Sequence, residues 1–160
     1  MNDEQAISRL MAQYTRGADR RDPELLKAIF APDAVVDIYL GPDVETEQLG
    51  HLEGVETISQ AVVFGMLPHP ERGWSHHRTT DHIVDVVGDT ATLEAHFITY
   101  NTVGAARPEG GWPAGLAGAQ GTITPIESGY YRPTCARIDG KWLITRLVIV
   151  HDLPYVFPSA

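Results

Sequence analysis

The stretch from Ser75 to Asp89 holds the side chains best suited to chemistry. His76, His77, Asp81 and His82 precede a β-branched run, Ile83-Val84-Asp85-Val86-Val87, which ends in a Gly88-Asp89 turn. Thr90 to Tyr100 then continues in extended fashion, so the two runs predict an antiparallel hairpin. Side chains alternate faces along a strand. His77, Thr79, Asp81 and Ile83 are expected on one face, and His76, Arg78, Thr80, His82 and Val84 on the other. Imidazole beside carboxylate suits either metal ligation or proton transfer near neutral pH. The spacing speaks against a metal. His76 and His82 lie six residues apart on one face, roughly 20 Å at about 3.3 Å per residue, and His77 and Asp81 do not occupy adjacent rungs. No metal and no cofactor are therefore expected. Any one of these histidines is equally explained as a solvent-facing or hydrogen-bonded strand residue.

The flanking segments must position that strand. Ile7, Leu10, Met11, Tyr14 and Ala18 follow the spacing of one helical face and predict an amphipathic helix over residues 3–20. Asp22-Pro23-Glu24 restarts a helix, with Asp22 as N-cap and Pro23 in the first turn, running to about Phe30. Ala34 to Leu40 reads as a strand, Gly41 to Gly50 as an acidic loop, and Val55 to about Met66 as a third helix. Ser128 to Ile138 and Trp142 to His151 flank Asp139-Gly140-Lys141, a second hairpin signal. Helices first and mostly antiparallel strands afterwards give an α+β architecture, a single domain over residues 1–160 with helices on one side of a curved sheet. Gly104 to Gly121 has no periodicity and carries Trp112 and Leu116. A segment of that length between strands is either a functional lid or a disordered tip, and its large apolar groups favour a lid over the pocket mouth.

Composition narrows the partners. A chain of 160 residues with 43% apolar content can bury about 70% of its unfolded surface around one core. Its net charge of −9 argues against nucleic acid or an anionic membrane surface, which need a basic face. No run approaches the roughly 20 apolar residues of a membrane span, and Met1-Asn2-Asp3-Glu4-Gln5 lacks the basic-then-apolar pattern of a signal peptide. A cytoplasmic protein acting on a small molecule is expected. The single cysteine, Cys135, excludes an internal disulfide and reads as a small buried residue.

Taken in order, Tyr14, Gly17-Ala18-Asp19-Arg20-Arg21-Asp22, Leu26, Phe30-Ala31-Pro32-Asp33-Ala34, Gly54, His77, the Val87-Gly88-Asp89 turn and Asp139-Gly140-Lys141-Trp142 resemble the SnoaL-like branch of the nuclear transport factor 2-like superfamily. The resemblance spans nearly the whole chain and is more specific for fold than for reaction. It implies a cone-shaped α+β barrel: a strongly curved, mostly antiparallel sheet closed by three N-terminal helices around one deep pocket. Relatives include scytalone dehydratase, bile acid 7α-dehydratase, hexachlorocyclohexane dehydrochlorinase, steroid isomerases, polyketide cyclases and the small subunit of ring-hydroxylating dioxygenases. The resemblance implies a catalytic pair at His77 and Asp19, with Tyr14 five residues before the aspartate. From its neighbours alone, Asp19 reads as a helix-terminal surface acid in Asp19-Arg20-Arg21-Asp22. Many relatives carry Asn where this chain has Asp81. The implied activity is a cofactor-independent lyase, a dehydratase or related elimination on a cyclic or aromatic molecule, in a homodimer or homotrimer. An isomerase or cyclase using the same base, or a non-catalytic binding protein, is the alternative. His77 would act as a neutral base oriented by Asp19, so turnover would rise with pH. Tyr14, together with Tyr39, would polarise a carbonyl or protonate a departing oxygen. Tyr39, Asp81, Trp112, Tyr131 and Arg146 are the expected substrate contacts.

Overall fold

The computed structural model describes residues 1–41 and 47–157. Helix α1 (Asp3–Arg20) begins in a capping box between Asn2 and Gln5 and ends where Arg21 turns into the left-handed region at φ 54°. Its buried stripe, Ile7, Leu10, Met11, Tyr14 and Ala18, enters the core. Gly17 completes that face because a Cβ there would meet Leu26 Cδ2 at 2.5 Å, so only glycine lets α1 approach α2 (Pro23–Lys27) so closely. α2 ends earlier than expected, at Lys27, and Ala28 to Asp33 is already turn and strand. Asp22 caps α2 through the backbone N–H groups of Glu24 and Leu25.

Strands β1 (Phe30–Leu40), β2 (Glu47–Glu53), β3 (Gly73–Val87), β4 (Thr90–Gly104), β5 (Gly121–Ile138) and β6 (Lys141–His151) form one six-stranded sheet in the order β2-β1-β6-β5-β4-β3. Only β1 and β6 run parallel; every other pair is antiparallel. Helix α3 (Val55–Phe64) packs on α2 and β1. The curved sheet is open, with β2 and β3 as its edges, rather than closed into a barrel. Of the acidic loop expected from Gly41 to Gly50, residues 42–46 lie outside the described residues, and Glu47 to Gly50 belong instead to the edge strand β2, which buries little. Among the described residues no helix is long and apolar enough to cross a membrane.

The hairpin of β3 and β4 forms as expected, but the face assignment holds only as far as Thr80. Asp81 sits at φ 55° where the register slips between Thr80 and Ile83, which makes it a bulge residue. Aspartate tolerates that conformation better than most residues. Beyond it the alternation inverts: His82, Val84 and Val86 become the more buried positions and Ile83 is exposed. Residues 105–120, between the paired ends Gly104 and Gly121, make turns and no regular element.

Candidate active site

One register line across the sheet builds the site. His77 lies opposite Thr99, and Thr99 lies opposite Glu127, so three inward residues of β3, β4 and β5 share a rung. Neighbouring strands are about 4.8 Å apart. The long side chains of His77 and Glu127 therefore lean toward each other over the shorter Thr99. His77 Nε2 lies 3.5 Å from Glu127 Oε1, and Thr99 donates its hydroxyl to the same oxygen at 2.9 Å.

The other side of His77 is held by α1. β3 is an edge strand, so the His77 backbone N–H can be taken by a group outside the sheet. Asp19 Oδ1 accepts from that N–H at 2.9 Å and lies 2.6 Å from Nδ1 of the same ring. His69 fastens the helix end to the strand: Ser75 N–H donates to its Nδ1 at 3.0 Å, so Nε2 carries the hydrogen and donates to the Asp19 carbonyl at 2.9 Å. His76 approaches from outside, with Nδ1 3.7 Å from Asp19 Oδ2.

These contacts set the charges. Burial alone would push the His77 imidazole down, but Asp19 and Glu127 together hold it above its ordinary value. Burial would push the Glu127 carboxyl up, yet His77 and Thr99 bring it below. The carboxyl groups on either side of the ring thus favour its charged form.

His77 and Glu127 border a cavity of about 290 Å³, and Asp19 stands behind the His77 ring. Its walls are mainly apolar, from α2, β1, β2, α3 and β6, and include Leu26, Ile38, Leu52, Val62 and Ile149. Tyr14 and Tyr131 line it with rings packed edge to face at 5.3 Å, and Tyr131 stacks on Phe97 at 4.3 Å. Burial raises both phenols well above the ordinary range, so both stay protonated. His151, at the end of β6, also lines the cavity, stacked on Tyr155 at 4.7 Å. Its Nδ1 is buried without a hydrogen-bond partner among the described residues and lies 3.8 Å from Glu127 Oε2. Gly129, two residues after Glu127, has no room for a side chain against the Val150 carbonyl, so it brings β5 close to β6 below His151.

The structure thus brings His77, Asp19, Tyr14 and Tyr131 to one place, and leaves four expected contacts elsewhere. Tyr39 stands on the face of β1 opposite Val36 and Ile38 and does not line the cavity. Arg146 donates to Asp37 Oδ2 at 3.0 and 2.8 Å on that same outer face. Asp81 occupies the bulge, accepting the Thr80 hydroxyl. Trp112 is 41% exposed, and no residue of 104–121 lines the cavity, so this segment is not a lid over it. Tyr155 and Phe157 of the C-terminal segment line the cavity instead. Glu127, His151 and Tyr155 are the site residues that sequence reasoning missed. The available signal was the alternation of Glu127, Gly129 and Tyr131 along β5. Cys135 is buried and its thiol is pushed up to about 12, which leaves it inert. Among the described residues no group of three or more His, Cys, Asp or Glu side chains is arranged to hold a metal ion.

Comparison with known proteins agrees with this architecture. The family model described as SnoaL-like domain matches residues 1–148. No curated protein matches the chain in sequence. Among solved structures, a protein of unknown function with a cystatin-like fold from Nostoc punctiforme is 18% identical, with a TM-score of 0.65 over 94% of this chain and 91% of that one. A protein from Novosphingobium aromaticivorans, provisionally assigned as a scytalone dehydratase, is 18% identical, with a TM-score of 0.59 over 93% and 83%. A nuclear transport factor 2-like protein from Salmonella enterica is 16% identical, with a TM-score of 0.60 over 94% and 92%. At such identities the likeness speaks for the fold alone.

Proposed function

The chain belongs to the SnoaL-like family, and from that premise we propose that its cavity is the active site of a cofactor-independent lyase that removes water from a cyclic or aromatic hydroxylated molecule. The observation carrying this reading is the buried His77 ring between Asp19 and Glu127 at the wall of an apolar cavity. A binding protein has no need for such a row, because burying three charged groups is costly unless their charge is used.

Sequence reasoning made neutral His77 the base, with its second nitrogen free. A carboxylate facing that nitrogen divides the work differently. Glu127, ionised at rest, takes the proton from the substrate carbon. The C–H electron pair forms the new double bond, and the C–O bond on the adjacent carbon breaks toward oxygen. The departing oxygen takes the Nε2 proton of the His77 imidazolium and leaves as water. Protonated Glu127 and neutral His77, 3.5 Å apart, then exchange the proton and restore the resting state. Asp19 stays ionised throughout, fixing the ring orientation and stabilising its charged form. The Tyr14 hydroxyl, which makes no hydrogen bond among the described residues, assists the departing oxygen. Acid and base act from the same wall, so the elimination is syn.

Incubation with uncharged cyclic alcohols and hydroxy ketones, followed by mass spectrometry, tests the reading. The expected result is loss of one water with wild type and not with His77→Gln. Conservation of mass with a moved double bond would mean an isomerase using the same proton pair. No conversion of any compound that the protein binds would leave a binding protein.

A further inference from the structure

The edge of β3 beside α1 carries a second concavity, behind Asp19. It measures about 420 Å³, and its walls include Arg16, Asp19 and Arg20 of α1 and His76, Arg78 and Thr79 of β3. Because β3 has a neighbour on one side only, the N–H groups of alternate residues point away from β4 and out of the sheet. Ser75, His77 and Thr79, paired with Asn101, Thr99 and Phe97, share that direction. The Ser75 N–H donates to His69 Nδ1 at 3.0 Å and the His77 N–H to Asp19 Oδ1 at 2.9 Å. Third in the series, the Thr79 N–H has no partner among the described residues.

Three guanidinium groups meet at the same place. Arg16 and Arg20 stand one turn apart on α1, where like charges repel and weaken a helix. Among the described residues neither has a side-chain partner, and Arg78 donates only its Nε, to the Tyr100 hydroxyl at 3.2 Å. Scarcity of acids does not explain this, since the chain has 21 acidic residues against 12 lysines and arginines. Elsewhere Lys27, Arg72, Arg132, Arg137 and Arg146 each pair with a carboxylate. The carboxylate in this concavity, Asp19, is engaged with His77 through Oδ1, and its Oδ2 lies 3.7 Å from His76 Nδ1.

We propose that this concavity binds a phosphate group, with the Thr79 N–H and the guanidinium groups of Arg16, Arg20 and Arg78 as donors. A bound dianion removes the repulsion between Arg16 and Arg20 and supplies the acceptor that Thr79 lacks. Guanidinium forks and a backbone N–H are the donors that phosphate oxygens select. A carboxylate, with one charge and two oxygens, engages fewer of them. The volume falls within the roughly 300–1,000 Å³ of small-molecule sites. Trp74, 40% exposed, also lines the concavity and offers an aromatic surface to the rest of a phosphate ester. The site is separate from the cavity and does not depend on the lyase reading.

Titration followed by NMR and calorimetry, in phosphate-free buffer of low ionic strength, tests this with inorganic phosphate, phenyl phosphate and benzoate. Wild type is expected to bind phosphate saturably at about 1 mM or tighter, to bind benzoate about tenfold more weakly, and to show the Thr79 amide proton moving downfield. Phenyl phosphate binding tighter than phosphate assigns the site to organic phosphate esters, and equal affinity assigns it to the free ion. Arg78→Gln and the double variant Arg16→Gln/Arg20→Gln should each lose about tenfold in phosphate affinity, as loss of a charge-assisted hydrogen bond allows. Arg9→Gln, exposed on the same helix but outside the concavity, should stay within about twofold of wild type. All four positions are exposed, so the variants should fold as wild type does. The proposal is overturned if phosphate does not bind below about 10 mM, if benzoate binds as tightly, if Arg9→Gln costs as much as Arg78→Gln, or if the Thr79 amide does not move.

Discussion

Among the described residues two histidine rings are hydrogen-bonded to an aspartate side chain, and their surroundings differ. On the outer face, Asp37 lies 2.7 Å from His51 Nδ1 and also accepts two hydrogen bonds from Arg146 and one from Gln48. Behind the cavity wall, Asp19 lies 2.6 Å from Nδ1 of His77, whose ring lines the cavity. The distances are nearly equal. What differs is burial and the far side of each ring: the His51 side chain is 52% exposed, whereas that of His77 is 5% exposed and faces a second carboxylate. Arg146 neutralises Asp37 permanently, so His51 is left as one more hydrogen-bond donor on a strand edge. Among the described residues neither Asp19 nor Glu127 forms an ion pair with a lysine or arginine, and in the proposed mechanism the proton on His77 is the one handed over.

The sharpest way to break this contrast is to remove each ring. His77→Gln should lower turnover by about 100-fold or more, since positioned proton-transfer groups contribute about 10²–10⁴; steady-state assays should find His51→Gln within about twofold of wild type. Glu127→Gln and Asp19→Asn should come next, each costing on the order of 100-fold. They should differ in that only Asp19→Asn also loosens the end of α1, through the His77 backbone N–H that Asp19 accepts; amide exchange at His77 would register that change. Tyr14→Phe, which removes a helper and no charge, should cost less, about tenfold.

The pairs should also separate by pH. The folded His77 lies above its ordinary 6.5, so its contribution to stability is complete below about pH 6.5 and is lost as pH rises through the folded value. Glu127 lies below its ordinary 4.5, so its contribution is present above about pH 4.5 and is lost as pH falls through the folded value. The proposed mechanism requires protonated His77 and ionised Glu127. It should hold a plateau between those two values and fall on the alkaline side of His77, opposite to the rise expected of a neutral-histidine base. Smallest of all, replacing residues 107–118 by a short turn should change turnover by less than about twofold, because none of them lines the cavity.

How much of this could be read from residue order follows the range of the interactions involved. α1 is written in its own periodicity, and Tyr14 and Asp19 come with it, one on the buried stripe and one in the last turn. The β3–β4 hairpin is equally local, carried by Gly88-Asp89 and β-branching. Asp81 was misplaced because a bulge depends on one backbone angle and shifts every later side chain to the other face. Glu127 and His151 were missed for a longer-range version of the same reason. Their places depend on the register of β4 with β5 and of β5 with β6, including a slip between Thr99 and Tyr100. Trp112 misled because a large apolar side chain in a long loop signals packing without saying against what.

The most direct test of the central claim is the titration of His77 followed by NMR in wild type, Glu127→Gln and Asp19→Asn, with the resonance assigned by its loss in His77→Gln. An imidazolium shared between two carboxylates predicts a midpoint above 6.5 in wild type that falls in each single variant. A wild-type midpoint at or below 6.5, or one that does not move when Glu127 loses its charge, would contradict the account.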